Sequence, residues 1–397
     1  MPPPFSSAAR HQLARFATRI GVPPRYFGYR HLQSETPAEF AKRTGAALKI
    51  VHPVRVASNP LPVNIGGRDD LPDDAGWWGY SMRDVPQRAS AATCLVRIKD
   101  ATVVTAMGED GLFYPAILSG DNHALNMREI VFRPVHAERL RGKPPVRRLA
   151  RATWLCERAY ENHSHWLTAH LPKLCLLRDR KQLEDVLLPA DLSAAMVISL
   201  ELLGLKPGDF PRFSPGEVLR IEELTVLVTD RFRPELLQPV RSAFTPQQSA
   251  PATRRIYISR AKAGMRKLMN EDEVWPLLQD AGFEKMFMED LSFAEQVRLM
   301  SETQVLAGPH GAGLTNMMFC PPGAQVLEIA WPGFPNPNFY ALASAMELGY
   351  GLVKADVVES ELHPLRRDMV VDPGGLRQGL AALGQAPATS AVIREAN

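Results

Sequence analysis

The sequence predicts an α/β protein built from two domains, and three observations carry that prediction. The chain has 397 residues, 45% hydrophobic and 22% charged, which is material for more than one large core. Its last third alternates strand-like and helix-like segments of similar length, the pattern of a parallel sheet with helices on both faces. A stretch rich in Pro, Gln, Ser and Thr at 245–253 separates that third from the rest and reads as an interdomain linker. The same numbers exclude other classes. With 46 Lys+Arg against 43 Asp+Glu the formal charge is +3, too balanced for nucleic-acid binding by global electrostatics. No apolar run approaches the roughly 18 residues of a membrane-spanning helix. The start, Met1-Pro-Pro-Pro-Phe-Ser-Ser, lacks the basic-then-apolar layout of a secretory signal. Cys94, Cys156, Cys175 and Cys320 contain no Cys-x-x-Cys pair, which fits neither a disulfide scaffold nor a zinc ribbon. A soluble, cytoplasmic protein is the expectation.

The elements follow in order. Residues 1–90 are rich in Pro, Gly and Arg and are poorly defined, with short helices expected over 11–20 and near Pro37. Asp69, Asp70, Asp73 and Asp74 there read as a solvated turn or as metal ligands. From 90 to 135, apolar patches broken by Gly-Glu-Asp-Gly and Ser-Gly-Asp-Asn predict short strands and turns. Arg139, Arg141, Lys143, Arg147, Arg148 and Arg151 form the densest basic cluster, read either as a solvated linker or as a contact with an anionic membrane surface or acidic substrate. A strand at Thr153 precedes a helix beginning near Asn162 and containing His163, His165 and His170. Strand material at 186–189, a helix over 192–203 closed by Gly204, and a strand over 218–229 complete the first domain. In the last third, strands are expected at 255–259, 285–288, 304–308, 326–330 and 351–354. Helices are expected at 271–280, 292–300 and 338–348, with Ser292 and Glu295 in capping-box spacing.

In an open parallel sheet, ligands bind beyond the carboxyl ends of the strands. Gly308-Pro-His-Gly-Ala-Gly occupies such an end. Gly311, Ala312 and Gly313 permit close backbone approach, and the helix after them would aim free N–H groups at an anion, expected to be a diphosphate. His310 is a donor to the same group, and Asn316 either binds ligand or braces the turn. Arg260 ends the strand at 255–259, with Arg266 and Asn270 close behind; arginine forks suit phosphate. The alternative is that these arginines form surface ion pairs with Glu271 or Glu273. Glu328, inside an apolar strand, either accepts from ribose hydroxyls or is paired structurally with an arginine.

Taken in order, Arg255-Ile-Tyr-Ile-Ser-Arg, Arg266 with Asn270-Glu271, Leu291-Ser-Phe-Ala-Glu-Gln, Gly308-Pro-His-Gly-Ala-Gly-Leu-Thr-Asn and Val326-Leu-Glu-Ile resemble glycosyltransferase family 61, whose bacterial members are often labelled capsular polysaccharide biosynthesis proteins. The resemblance is dense over 253–350 and extends to Asn162-x-x-His-Trp. It implies a GT-B-like fold, two Rossmann-like domains facing across a cleft. The implied division is an acceptor-side domain over 1–245, a nucleotide-sugar domain over 246–357, and a tail over 358–397 packing back on the first domain. It implies an inverting glycosyltransferase with a nucleotide-sugar co-substrate, UDP-linked, and no other cofactor. The acceptor would be a polysaccharide or lipid-linked glycan, with peripheral inner-membrane contact as an accessory expectation and no nucleic-acid partner. The alternative is a nucleotide-sugar-binding protein with impaired catalysis. That alternative arises because the family carries an acidic residue where this chain has Ala169, which leaves His165, oriented by Asn162, as the general base, with His163 and His170 behind it. His310 would assist the leaving group. The chain contains no Asp-x-Asp, so a metal-independent reaction is expected.

Overall fold

The computed structural model describes residues 32–245 and 251–383, with isolated positions between 12 and 29. The helix expected over 11–20 lies largely outside the described residues, as does the centre of the expected linker. The chain divides into two compact units, but not at that linker. One unit comprises 1–53, 92–193 and 206–229, the other 54–91, 194–205 and 230–397. This corrects the linear division at 245: each unit is assembled from separated segments.

The first unit holds a nine-stranded mixed sheet. Its strands are β1 (Ser34–Glu35), β2 (Leu48–His52), β3 (Thr93–Met107), β4 (Phe113–Leu118), β5 (Ala124–Leu125), β6 (Val146–Trp154), β7 (Val186–Pro189), β8 (Arg212–Phe213) and β9 (Val218–Val228). The order is β1-β5-β4-β3-β9-β6-β7-β8, with β2 also pairing β3. Where short strands were expected, β3 runs for 15 residues, long enough to pair β2 at one end, β4 at the other and β9 along its opposite edge. The β3–β9 and β3–β4 ladders are antiparallel while β9–β6 and β6–β7 are parallel, so this unit is α/β but not a repeat of Rossmann units. Helix α1 (Pro37–Thr44) is closed by the reciprocal Thr36–Glu39 capping box. Helix α2 (Pro134–Arg141) leads into β6, so the basic cluster is a helix end and a strand start rather than a linker. Arg147 faces Glu217 at 3.5 Å and Arg151 faces Asp185 at 3.2 Å. Helix α3 spans Leu171–Asp179.

The second unit holds a six-stranded sheet, β10 (Arg254–Ile258), β11 (Glu284–Met286), β12 (Thr303–Pro309), β13 (Gln325–Ala330), β14 (Gly349–Val357) and β15 (Met369–Val371), in the order β11-β10-β12-β13-β14-β15. Every ladder is parallel except β14–β15. Its central strands are buried along nearly their whole length, as strands covered on both faces are. The helices are α4 (Ala194–Leu202), α5 (Pro234–Phe244), α6 (Glu271–Asp280), α7 (Phe293–Ser301), α8 (Asn338–Ala345) and α9 (Pro373–Leu383). Ser292 and Glu295 form the expected capping box of α7. Because β15 adds to this sheet and α9 packs on β13 and β14, the expected tail is part of the second unit itself. Asp69 and Asp73, in the segment this unit borrows from the N-terminal third, face the Arg83 guanidinium at 3.8 and 3.5 Å. All four cysteines are free and buried, and no helix among the described residues is long and apolar enough to cross a membrane.

Candidate functional site

The second sheet reverses direction once. From β10 the chain steps outward to β11, then returns to place β12 on the other side of β10 and continues through β13 to β14. The crevice between the carboxyl ends of β10 and β12 is therefore the topological switch point, where open α/β sheets bind ligands. Arg260 follows β10, and His310 and Gly311 follow β12.

Two glycines let these ends approach. A Cβ on Gly308 would stand 2.9 Å from the Ile258 carbonyl oxygen, and one on Gly311 would collide with the Arg260 guanidinium. Arg260 thus lies against the backbone that opens the 3₁₀ helix Ala312–Phe319. Its Nε donates to the Arg266 carbonyl at 3.1 Å and one Nη to the Met265 carbonyl at 2.7 Å. Arg266 donates to the Leu365 carbonyl at 3.1 Å, and its Nε is buried without a partner. Among the described residues no carboxylate comes within salt-bridge distance of either arginine. Glu271 is instead taken by Lys285 at 3.0 Å and by the hydroxyls of Tyr257 and Ser259, and Glu273 by Asn270. Burial pulls the Arg260 pKa down, and burial together with the neighbouring Arg260 charge brings Arg266 down to about 10. The two guanidiniums thus stand side by side with main-chain carbonyls as partners and, among the described residues, with no carboxylate in salt-bridge contact.

His310 sits at the same edge, 7% exposed. Its Nδ1 bonds to the Glu328 carboxylate, whose other oxygen accepts from the Tyr350 hydroxyl at 2.6 Å; Asn336 Nδ2 meets His310 Nε2 at 3.3 Å. Glu328 therefore orients a histidine: its structural partners are His310 and Tyr350 rather than an arginine. Tyr350 and Asn336 carried no signal in the sequence. Glu328→Gln leaves one carbonyl oxygen for two donors, and is expected to lower stability by about 1.5–3 kcal/mol, read from the denaturant midpoint.

Two other expected ligand residues have structural duties. Asn270 bonds in both directions to the Val371 backbone, at 2.9 and 3.0 Å, and so ties α6 to the edge strand β15. Asn316 is fully buried and donates to Gln296 at 2.8 Å, bracing the 3₁₀ helix on α7. Ala312 and Gly313 stand in the first turn of that 3₁₀ helix rather than in a loop before a helix starting near Leu314.

In the first unit, Asn162 caps a helical turn, accepting from the backbone N–H of Ser164 and His165 at 2.9 and 3.3 Å. Through this cap it holds the main chain of His165. Trp166–His170 then forms a π-helical segment. Its cause is Pro172, which lacks an N–H and crowds the preceding turn, so the ladder resets through Leu171 N–H to the Trp166 carbonyl. His165 is half-buried at the start of this segment. His170 is 1% exposed and stacked on Trp166. It accepts at Nε2 from the Glu157 N–H and donates from Nδ1 to the His165 carbonyl, at 3.0 Å each, which removes it as an alternative base. Ala169 is 2% exposed. Beneath the segment lies an ion pair absent from the sequence reading, Lys173 to Glu157 at 2.5 Å, both partners fully buried.

The π segment, α3, β9, β10 and β12 all fall within a single matched stretch, residues 164–327. The model that this stretch matches is that of glycosyltransferase 61. The five ordered motifs and the match agree. The glycosyltransferase 61 likeness extends to named proteins. The EGF domain-specific O-linked N-acetylglucosamine transferase of Drosophila melanogaster is 34% identical over 98 residues, 24% of this chain and 18% of that protein. The rice beta-1,2-xylosyltransferase XAX1 is 30% identical over 171 residues, 41% of this chain and 30% of that protein. The rice alpha-1,3-arabinosyltransferase XAT3 is 33% identical over 104 residues, 24% of this chain and 18% of that protein. The chain spans less than a third of the length of each of these three relatives.

Proposed function

We propose that this chain is an inverting, metal-independent glycosyltransferase that moves a sugar from a nucleotide-sugar donor to a glycan acceptor, the polysaccharide or lipid-linked class being the working expectation. The observation that carries the reading is the pair Arg260 and Arg266, half-buried beside the Gly311–Gly313 turn with main-chain carbonyls as their partners. A nucleoside diphosphate is the complement such a pair lacks, since its oxygens accept from planar forks and from the open N–H groups of a helix start. The relatives named as xylosyl-, arabinosyl- and N-acetylglucosamine transferases support the same class.

In this reading the acceptor hydroxyl attacks the anomeric carbon from the side opposite the phosphate. The new C–O bond forms as the bond to the phosphate oxygen breaks, and the nucleoside diphosphate leaves with the electron pair. The hydroxyl proton passes to the base, assigned to His165. Negative charge growing on the leaving oxygens meets the Arg260 and Arg266 guanidiniums, charges already in place before the reaction, with His310 beside them. The GT-B-like expectation belongs to this reading and has support from the second unit's largely parallel sheet, whereas the first unit's mixed sheet departs from a Rossmann repeat. Calorimetric titration with UDP tests the donor site. Arg260→Ala is expected to weaken binding by about 1.5–3 kcal/mol, the worth of hydrogen bonds to a charged group, and unchanged affinity would place the donor elsewhere.

A further inference from the structure

The segment 54–91 precedes most of the first unit in the chain, yet it folds onto the second. Its anchors run in one direction. Val63 N–H bonds the Tyr350 carbonyl at 2.7 Å, and Asn64 pairs with both backbone groups of Leu352 on β14. The Pro60 carbonyl accepts from Tyr340 on α8 at 2.5 Å. Trp78 Nε1 donates to the Pro335 carbonyl at 3.1 Å, and the Tyr80 hydroxyl donates to Asn338 at 2.9 Å. The last two contacts bracket Asn336, the residue whose amide meets His310.

This anchoring sets Trp77 against the loop after β13, the loop that carries Asn336. Trp77 is 44% exposed although its neighbour Trp78 is tied down. Its ring meets Phe334 at 5.0 Å and His363 at 5.5 Å, each edge-to-face, so neither neighbour stacks flat on it. Phe334 is two residues, at most about 7 Å of chain, from Asn336. His363 is exposed, and its Nδ1 accepts from the Leu365 N–H at 3.2 Å, which leaves Nε2 to carry the proton as a donor beside the indole. An exposed indole beside a ring N–H donor fits the two faces of a pyranose: apolar C–H groups against the ring and hydroxyls towards the polar atom.

We propose that Trp77 and His363 form a sugar-stacking shelf next to the transfer site, for a pyranose ring belonging either to the acceptor glycan or to the donor sugar. The proposal rests on the donor-site reading above for its function, but its test separates from it. The full chain is labelled with 5-fluorotryptophan, and the Trp77 fluorine resonance is assigned by its loss in Trp77→Phe. The wild type is titrated with UDP, UDP-N-acetylglucosamine, UDP-xylose, chitotetraose and xylotetraose. Movement with an oligosaccharide assigns the shelf to acceptor, and movement with a UDP-sugar but not with UDP assigns it to donor. For the ligand that moves it, Trp77→Ala is expected to weaken affinity about tenfold, the scale of an aromatic stack, with UDP affinity within about twofold of wild type. A Trp77 resonance unmoved by all four sugars in a protein that binds UDP overturns the shelf and leaves the donor site standing. Failure to bind UDP with a sugar-responsive Trp77 does the reverse. Self-association in sedimentation that Trp77→Ala abolishes, without any sugar response, makes the patch an interface between copies and also overturns it.

Discussion

His165→Ala is expected to lower turnover by about 10²–10⁴ while leaving UDP affinity nearly unchanged, the pattern of a lost general base. The main chain of His165 is fixed from both sides, its N–H by the Asn162 carboxamide and its carbonyl by His170 Nδ1, so the imidazole projects from a rigid point at the entry to the π segment. Asn162 provides the distinguishing companion. Because its oxygen caps the turn, Asn162→Asp should retain both cap and turnover, whereas Asn162→Ala should lose about 0.5–2 kcal/mol of stability and disturb the His165 backbone. Single-turnover kinetics with a verified acceptor checks the assignment, and near-normal chemistry in His165→Ala would sink it.

Lys173→Met is expected to be the most destabilising single change, costing about 3–5 kcal/mol, because it strands the Glu157 charge in a fully buried site. Replacing both partners, Lys173→Met with Glu157→Leu, should recover most of that loss, since no buried charge then remains. The pair also sets an acid limit. Burial alone would raise the Glu157 pKa, but the Lys173 ammonium and Arg128 overcome it and hold the carboxyl below the ordinary range. The unfolded chain, with an ordinary carboxyl near pH 4.3, therefore takes up its proton first as pH falls. Stability from Glu157 is complete above about pH 4.5 and drains below it. Denaturant midpoints between pH 7 and pH 3 should fall for the wild type, and Glu157→Gln should lack that part of the slope. A parallel slope in the variant would assign the acid loss to other carboxylates.

What the sequence made legible follows from how local the signals are. The second sheet was readable almost strand by strand, because covered parallel strands are short apolar runs bounded by caps and glycines, and α6 spans the residues expected of it. Gly311 and Arg260 were also readable as neighbours, since both end strands at one switch point. The first sheet was less readable because β3 changes partners along its length, a property of register that no window of residues carries. Side-chain duty was the least legible. Asn270, Asn316 and Glu328 are polar residues in the right loops, yet each is claimed by a partner 20 to 101 residues away or by a buried tyrosine. Ala169 illustrates the same limit: read as a missing carboxylate, it lies buried inside a π-helical turn, where an introduced aspartate would face desolvation before it met any acceptor.

The threading of 54–91 onto the second unit has a consequence for synthesis. Asn64 waits for Leu352, 288 residues downstream, and at about 5–20 residues per second the ribosome takes roughly 15–60 s to supply it. During that interval Trp77, Trp78 and the rest of the segment have no native surface to cover them. The first unit likewise cannot close its sheet until β9 emerges to pair with β3. The first unit has all its segments once residue 229 has emerged, whereas the second holds 54–91 uncovered until β14 is made, so aggregation of the nascent chain should start from the second unit.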